Sequence, residues 1–372
     1  MKKSNILITG GAGFIGSFLT DRLIDSGYNV RILDSLEDQV HQGKKPKYLN
    51  KKAEFIKGDI LDYKKFEASL KGIDIVFHLA ASVGVGQSNY EIKRYTDTNI
   101  GGMANLLDIV ANNRSKVKKI IMTASMTGYG EGYGKCKEHG KVKPALRSEQ
   151  QLSKKNWSLY CPICKKKLIS VPTDEKAYIN NNSIYSLTKN VQETMLMLIG
   201  EMYHIPVTSF RCFNVYGPRQ SLSNPYTGVT AIFVSRLKNN HQPILYEDGM
   251  QSRDFISVHD VVAALVMAID NKKSDFEIFN LGSGHKTPIK DIAEILAKLL
   301  GKKISPKTTG KFRVNDIRHC YADITKVGKL LGWEPSVKLE NGLKELIEWS
   351  RNEEARDMFD NAEKKMKEKN LL

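Results

Sequence analysis

Tyr185 and Lys189 stand four residues apart in the stretch Tyr185-Ser186-Leu187-Thr188-Lys189. On a helix that spacing puts a phenol and an ammonium on one face, a turn apart. A phenol titrates at roughly pH 10 and is a poor base at neutral pH, but a nearby cation favours the phenolate and lowers that value. The pair is thus a way to build a proton-transfer group that works at about pH 7. The same spacing also suits a solvated helix face, so the surrounding elements decide its meaning.

Those elements alternate. Ile6 to Thr9, Asn29 to Leu33, Glu54 to Lys57, Ile73 to Leu79, Lys119 to Thr123 and Val207 to Phe210 read as short buried strands. Helical patterns fall between them, around Asn99 to Asn112 and Ser183 to Tyr203. Strands alternating with helices predict an α/β fold, a doubly wound parallel sheet. Residues 1–215 are expected to form a dinucleotide-binding domain. Residues 216–350, more mixed and punctuated by Pro and Gly, are expected to form a smaller substrate lobe that is not strictly contiguous. Residues 351–372 suit a charged helix or tail that frays. The polar segment 131–182 breaks the alternation, and a structureless loop that long is unusual.

Between the first strand and first helix lies Gly10-Gly11-Ala12-Gly13-Phe14-Ile15-Gly16. Glycines keep such a turn tight and let backbone N–H groups approach a pyrophosphate at the helix N-terminus. The spacing is GxxGxxG. Asp34 ends the second strand, where a carboxylate takes ribose hydroxyls and repels a 2′-phosphate, so NAD is expected over NADP.

The bulk properties exclude other classes. The chain has 372 residues, with 41% hydrophobic and 26% charged, an ordinary globular balance. No apolar run is long enough for a membrane span, and Met1-Lys2-Lys3 leads straight into a strand, so no membrane partner and a cytoplasmic location are expected. The net charge of +16 invites a nucleic-acid reading. The lysines are spread out and accompanied by acids, however, and no basic stripe is interleaved with aromatics. The charge is better read as attraction to anionic small ligands than to nucleic acid.

With these motifs in order, nearly the whole chain resembles the extended short-chain dehydrogenase/reductase family, in its branch acting on nucleoside-diphosphate sugars. Asp59-Ile60 resembles an adenine-contacting pair, His78-Leu79-Ala80-Ala81 a strand end beside the cofactor, and Asn99-Ile100-Gly101-Gly102 the NxxG helix. Ser125, Tyr185 and Lys189 fit the catalytic triad. Arg211 to Pro218 and Ser252 to Asp260 match the RxxNxYGP element and the sugar-nucleotide arm. The resemblance implies that Gly10, Gly13, Phe14, Ile15, Gly16, Asp34, Asp59, Ile60, Leu79, Ala80, Ala81, Asn99, Tyr185 and Lys189 surround NAD. It implies a homodimer through the helices carrying Asn99 and Tyr185. Asn214 is expected on the diphosphate or sugar beside Ser125. Arg253, and Arg313 near Asp316, are expected as charge-assisted clamps on phosphate oxygens.

In the family's 4,6-dehydratases a Thr is followed by Asp and Glu, which eliminate water. Here Ser125 is followed by Met126 and Thr127, neither of which can act as a carboxylate acid or base. What remains is oxidation at C4 and hydride return: a 4-epimerase in which Tyr185 takes and returns the C4 hydroxyl proton. Tyr129 to Gly132, Ser221 to Val229 and Asp316 to Cys320 resemble the dTDP-L-rhamnose 4-epimerase branch. UDP-hexose and UDP-hexuronate 4-epimerases share most of the motifs. A dehydratase or decarboxylase is the rival within enzymology, and a non-catalytic dinucleotide sensor or nucleic-acid-binding member the rival outside it.

Three of five cysteines lie in the insertion, where Cys136, His139, Cys161 and Cys164 form CxxH and CxxC pairs. Such pairs can supply four tetrahedral ligands to a structural zinc, giving order to a segment of thin apolar content. Cys212, Cys320 and His78 are expected to be simple buried residues, and Met195-Leu196-Met197-Leu198 core or dimer surface.

Overall fold

The computed structural model of the chain describes residues 4–112 and 114–371; Met1-Lys2-Lys3, on which the reading of the chain start rested, lies outside them. Seven strands form the central sheet: β1 (Asn5–Thr9), β2 (Asn29–Asp34), β3 (Glu54–Lys57), β4 (Ile75–His78), β5 (Lys119–Ser125), β6 (Val207–Cys212) and β7 (Glu277–Leu281). Their order is β7-β6-β5-β4-β1-β2-β3, and every pairing is parallel. Chain direction across the sheet reverses between β1 and β4, and a crevice at the strand C-termini there is where such sheets bind ligands.

Period-two alternation explains why the sheet is covered on both sides. Ile6 and Ile8 point into one apolar layer with Ile32, Phe77, Ile121 and Phe210. Leu7, Leu33, Val76, Ile120 and Met122 point into the other. Helix α1 (Phe14–Asp25) packs on the first face; α2 (Gly102–Ala111) and α3 (Ile184–Met202) cover the second. A π-helical turn, Thr96–Gly101, precedes α2 and carries Asn99.

β7 was not among the strands expected. It is a five-residue segment inside the stretch read as substrate lobe, yet it extends the main sheet beside β6. The helix Val258–Met267, α4, likewise returns to pack on α1. The insertion has structure of its own: Gly134–Cys136 pairs antiparallel with both Gly140–Val142 and Ile169–Ser170. Around its cysteines is a small core of Cys136, Leu159, Cys161 and Leu168, with Val142 and Cys164 against it, while Tyr133, Leu146, Ala177 and Ile179 pack on the main body with Met126 and Phe213. At the C-terminus the helix Phe359–Glu368 buries Ala362 and Met366, and Arg236 reaches Asp357 and Asp360 at 3.3 and 3.0 Å.

Candidate active site

The glycine turn is made for a close backbone approach. Gly10 has φ +71°, and a Cβ there would sit 2.9 Å from the Ala80 backbone; only glycine takes that conformation freely. A Cβ on Gly16 would fall 2.3 Å from the Gly10 carbonyl oxygen, which fixes how tightly α1 meets β1. A Cβ on Gly13 would meet only that same oxygen, at 3.2 Å. Gly13 caps α1 with no side-chain hydrogen bond and no acid follows in the first turn, so the helix terminus keeps the donor character that a pyrophosphate needs. Asp34 accepts from the Ala12 and Leu36 N–H groups at 3.0 and 2.9 Å, tying the turn to the end of β2. These residues fit NAD.

Around the turn the expected cofactor residues divide. Leu79, Ala80 and Ala81 follow β4 and are partly exposed beside Gly10. Asp59 is exposed and accepts from Leu61 N–H, whereas Ile60 is buried against Gly102. Asn99 is fully buried: its carbonyl accepts from Ser82 N–H at 2.8 Å, and its amide donates to Ser82 O and to Thr188 Oγ1. That side chain braces the loop after β4 against α3, immediately beside Lys189.

Helix α3 starts at a capping box between Ser183 and Ser186. The Ile184 and Tyr185 N–H groups donate to Asn89 Oδ1 and Ser88 Oγ. The first helical turn is thereby locked, and Tyr185 with it; its ring also meets Tyr95 edge-on at 6.4 Å. Ser125 ends β5, and its hydroxyl accepts from Thr127 Oγ1 at 2.9 Å. Tyr185 is hydrogen-bonded with Ser125, and Ser125 and Lys189 line one small cavity at the C-terminal edge of the sheet.

The electrostatics differ from the sequence expectation in one respect. Burial pushes the Tyr185 phenol up to about 12, and a hydrogen bond with Ser125 pulls it partly back. Burial also pushes Lys189 down to about 8, opposed by Cys212 and Glu193. Spacing revealed the cation but not the desolvation, which here acts on both groups. His78 is a packed core residue, its Nδ1 3.0 Å from Thr9 Oγ1 and its pKa held near about 3 by burial and Lys189. Cys212 and Cys320 are buried thiols, both pushed up to about 12 by burial.

The sugar side is more heavily cross-braced than the motifs suggested. Arg211 forks onto Glu193, at 2.6 and 3.0 Å, and donates to Tyr129 OH. Asp254 accepts from the N–H groups of Ser283, Gly284 and Ala322. Asp260 accepts from Ser336 and Val337. These motif residues hold the fold. Arg253 donates to Asp316 Oδ1 at 3.1 Å, and Arg313 to Asp316 Oδ2 at 2.7 Å, so one carboxylate aligns both arginines. Asn214 has a buried carbonyl oxygen with no partner, as do Asn181 and Asn182. Asn182 also donates to Asn315 O, joining the approach to Tyr185 with the arginine loop. Sequence reasoning missed Asn181 and Asn182; the run Asn180-Asn181-Asn182 just before the catalytic helix was the available signal.

In the insertion, the ligand atoms of Cys136, His139, Cys161 and Cys164 all lie within 4.8 Å of one another. The Cys136 and Cys164 sulfurs are 3.5 Å apart, without a disulfide. The His139 Nδ1 is 3.6 Å from both Cys136 and Cys161. Backbone N–H groups of His139 and Glu138 point at the Cys136 sulfur and hold its pKa down to about 6, favouring the thiolate that metals bind.

The sequence profile of the NAD dependent epimerase/dehydratase family matches residues 6–154, and that of GDP-mannose 4,6 dehydratase matches residues 167–346. The dTDP-L-rhamnose 4-epimerase of Burkholderia thailandensis is 35% identical over 353 residues, covering 94% of this chain and 95% of the relative. Among solved structures, the UDP-glucose 4-epimerase of Thermotoga maritima with UDP-glucose superposes with TM-score 0.77 at 33% identity, over 93% of this chain and 98% of the other. The UDP-glucuronic acid 4-epimerase of Bacillus cereus, in complex with UDP-glucuronic acid and NAD, gives 0.74 at 28% identity, over 93% and 99%. The chain belongs to the NAD-dependent epimerase/dehydratase family.

Proposed function

We propose that this chain is an NAD-dependent nucleotide-sugar 4-epimerase acting on dTDP-L-rhamnose, with zinc in its insertion, working as a homodimer in the cytoplasm. The observation that carries the epimerase reading is the convergence of Ser125, Tyr185 and Lys189, with Met126 buried and Thr127 hydrogen-bonded to Ser125 where elimination needs acids.

Tyr185 takes the proton from the C4 hydroxyl and gives one back when the 4-keto sugar has turned over. Ser125 holds the same oxygen, directing it at the phenol. Lys189, buried one turn along α3, would hold the nicotinamide ribose and bring its charge to the phenol once the site is filled, since burial alone keeps that phenol up at about 12. NAD, when bound at the glycine turn, supplies the acceptor and then the donor of hydride at C4. Asn181, Asn182 and Asn214 offer acceptors to sugar hydroxyls, and Arg253 and Arg313 meet the diphosphate. The preference for dTDP-L-rhamnose rests on the Burkholderia relative and on the runs around Tyr129, Ser221 and Asp316. Incubation with dTDP-L-rhamnose, UDP-glucose and UDP-glucuronate tests it: C4 inversion confined to a UDP sugar would reassign the substrate.

The dimer reading rests on α3. Leu187, Leu198 and Met202 are 43%, 55% and 63% exposed, and spacings of 11 and 4 residues put them on one stripe. A second copy packed there would bury it, and sedimentation should give twice the chain mass. Zinc rests on the four-atom cluster and the thin core around it. Metal analysis should give about one zinc per chain, the content set by four tetrahedral ligands; a content near zero contradicts it.

A further inference from the structure

The insertion and the sugar-nucleotide arm share a set of buried charges to which the sequence reading gave no role. Glu131 opens the insertion and is fully enclosed; its carboxylate accepts from the Arg318 N–H at 2.8 Å and the His319 N–H at 3.2 Å. Arg147, also enclosed, lies 3.3 Å from Glu131 and donates through Nη2 to the Asp316 carbonyl at 3.0 Å. Its Nη1 is 2.8 Å from Glu247, without hydrogen-bond alignment. Glu247 in turn pairs with Arg318 at 2.8 Å, and Arg318 with Asp248 at 2.6 Å. Two side chains of the insertion thus hold the backbone of residues 316, 318 and 319. Asp316, the first residue of that stretch, aligns Arg253 and Arg313.

We propose that Glu131 and Arg147 are positioning residues for diphosphate binding, so that the insertion sets nucleotide-sugar affinity without touching the reacting carbon. The physical argument is one of fixed geometry. A flexible loop would present its carboxylate in several arrangements, and ordering it would cost affinity on every binding event. A loop whose carbonyl and amides are already engaged by buried charges presents Asp316 in one place. Arg147 suits this role because its planar fork addresses Glu131 and the Asp316 carbonyl together, which a lysine cannot do. Thr173 adds to the join: its N–H donates to Tyr321 O, and Asp323 N–H donates to its carbonyl.

The inference rests on the diphosphate-clamp reading of Arg253, and the experiment separates the two. Binding of dTDP and of UDP to the full chain is measured by calorimetry for wild type, Arg253→Ala, Arg147→Lys and Glu131→Gln, each first checked for an intact melting transition. Kinetics on whichever nucleotide sugar is turned over accompany the titrations. Arg147→Lys and Glu131→Gln should each weaken nucleotide binding roughly tenfold and raise KM while kcat moves little, the signature of lost uniform binding. The more conservative Glu131→Asp should recover part of the loss. Weakened binding in Arg253→Ala but unchanged binding in Arg147→Lys and Glu131→Gln overturns the positioning role and leaves the clamp intact. Unchanged binding in Arg253→Ala overturns the clamp and the inference with it. Should Arg147→Lys or Glu131→Gln prevent folding, Glu131→Asp, which keeps the buried charge but shortens its reach to the Arg318 and His319 N–H groups, provides the milder test; unchanged binding there contradicts the inference.

Discussion

At the nucleotide end the site is made of backbone; at the sugar end it is made of charge. The glycine turn works because Gly10, Gly13 and Gly16 lack side chains, and its contacts are short main-chain approaches, within the turn for Gly13 and Gly16 and to the Ala80 backbone for Gly10. The arginine loop works because Asp316 aligns Arg253 and Arg313, and the backbone around Asp316 is held by Arg147 and Glu131, 169 and 187 residues away in sequence. A site of the first kind is written in a local motif. A site of the second kind depends on which distant segments the fold brings together, and it can be altered through buried residues of an insertion, Glu131 and Arg147, that hold its backbone.

The largest expected effect separates chemistry from both ends. Tyr185→Phe removes the proton carrier but leaves the ring packed against Tyr95. Turnover should fall on the order of 10²- to 10⁴-fold with melting unchanged; full turnover would refute the proton role.

Next comes a test of the backbone-built end. Gly16→Ala places a methyl 2.3 Å from a carbonyl oxygen that cannot move aside, and should cost on the order of a few kcal/mol in denaturant unfolding. Gly13→Ala meets only one atom, at 3.2 Å, so it should keep the fold yet lose co-purifying NAD, read by absorbance after denaturation. Equal behaviour of the two variants would break the distinction between a packing glycine and a cradle glycine.

The charge-built end answers differently. Cys164→Ser should abolish the zinc content proposed for the insertion and open residues 134–170 to proteolysis, while the central sheet keeps its protection in hydrogen exchange. Global unfolding instead would show that the insertion is part of the main core.

The smallest effect is on pH. His78 and His319 are both held neutral, near about 3, chiefly by burial. The unfolded chain takes up these protons at roughly pH 6.5, so it binds more protons than the native state between about 6.5 and 3. Stability is therefore fully present above pH 6.5 and is lost as pH falls toward 3. His78→Gln should flatten that loss in denaturant melts taken from pH 7 to 4; an unchanged slope would remove His78 from the account.

The same division governs what was legible in the sequence. Six of the seven sheet strands, the glycine turn, Asp34 and the Tyr185/Lys189 spacing could be read because each is a local pattern, whereas Ser125 joined that pair only through the family resemblance. The Cys/His cluster could be read because ligand spacing is local too. β7 escaped because it lies inside the Pro- and Gly-punctuated stretch read as a separate lobe, and only its pairing with β6 identifies it. Glu131 and Arg147 escaped for a related reason: a buried charge looks like a surface charge until its partners are known. Asn99 and Asp254 were legible as motif residues, yet their physical work is bracing, which only hydrogen-bond partners reveal. The Tyr185 phenol was expected to be acidified by Lys189 and is instead raised to about 12, since sequence spacing carries no information on burial.

The most direct test of the central claim is NMR of the intact protein with NAD and dTDP-L-rhamnose, following the C4 proton. The account predicts conversion to the C4 epimer, approached from either direction, with no net reduction of NAD and no 4-keto or decarboxylated product leaving the enzyme. Accumulation of a released keto or decarboxylated sugar, or no C4 inversion with any of the nucleotide sugars named above, would contradict it.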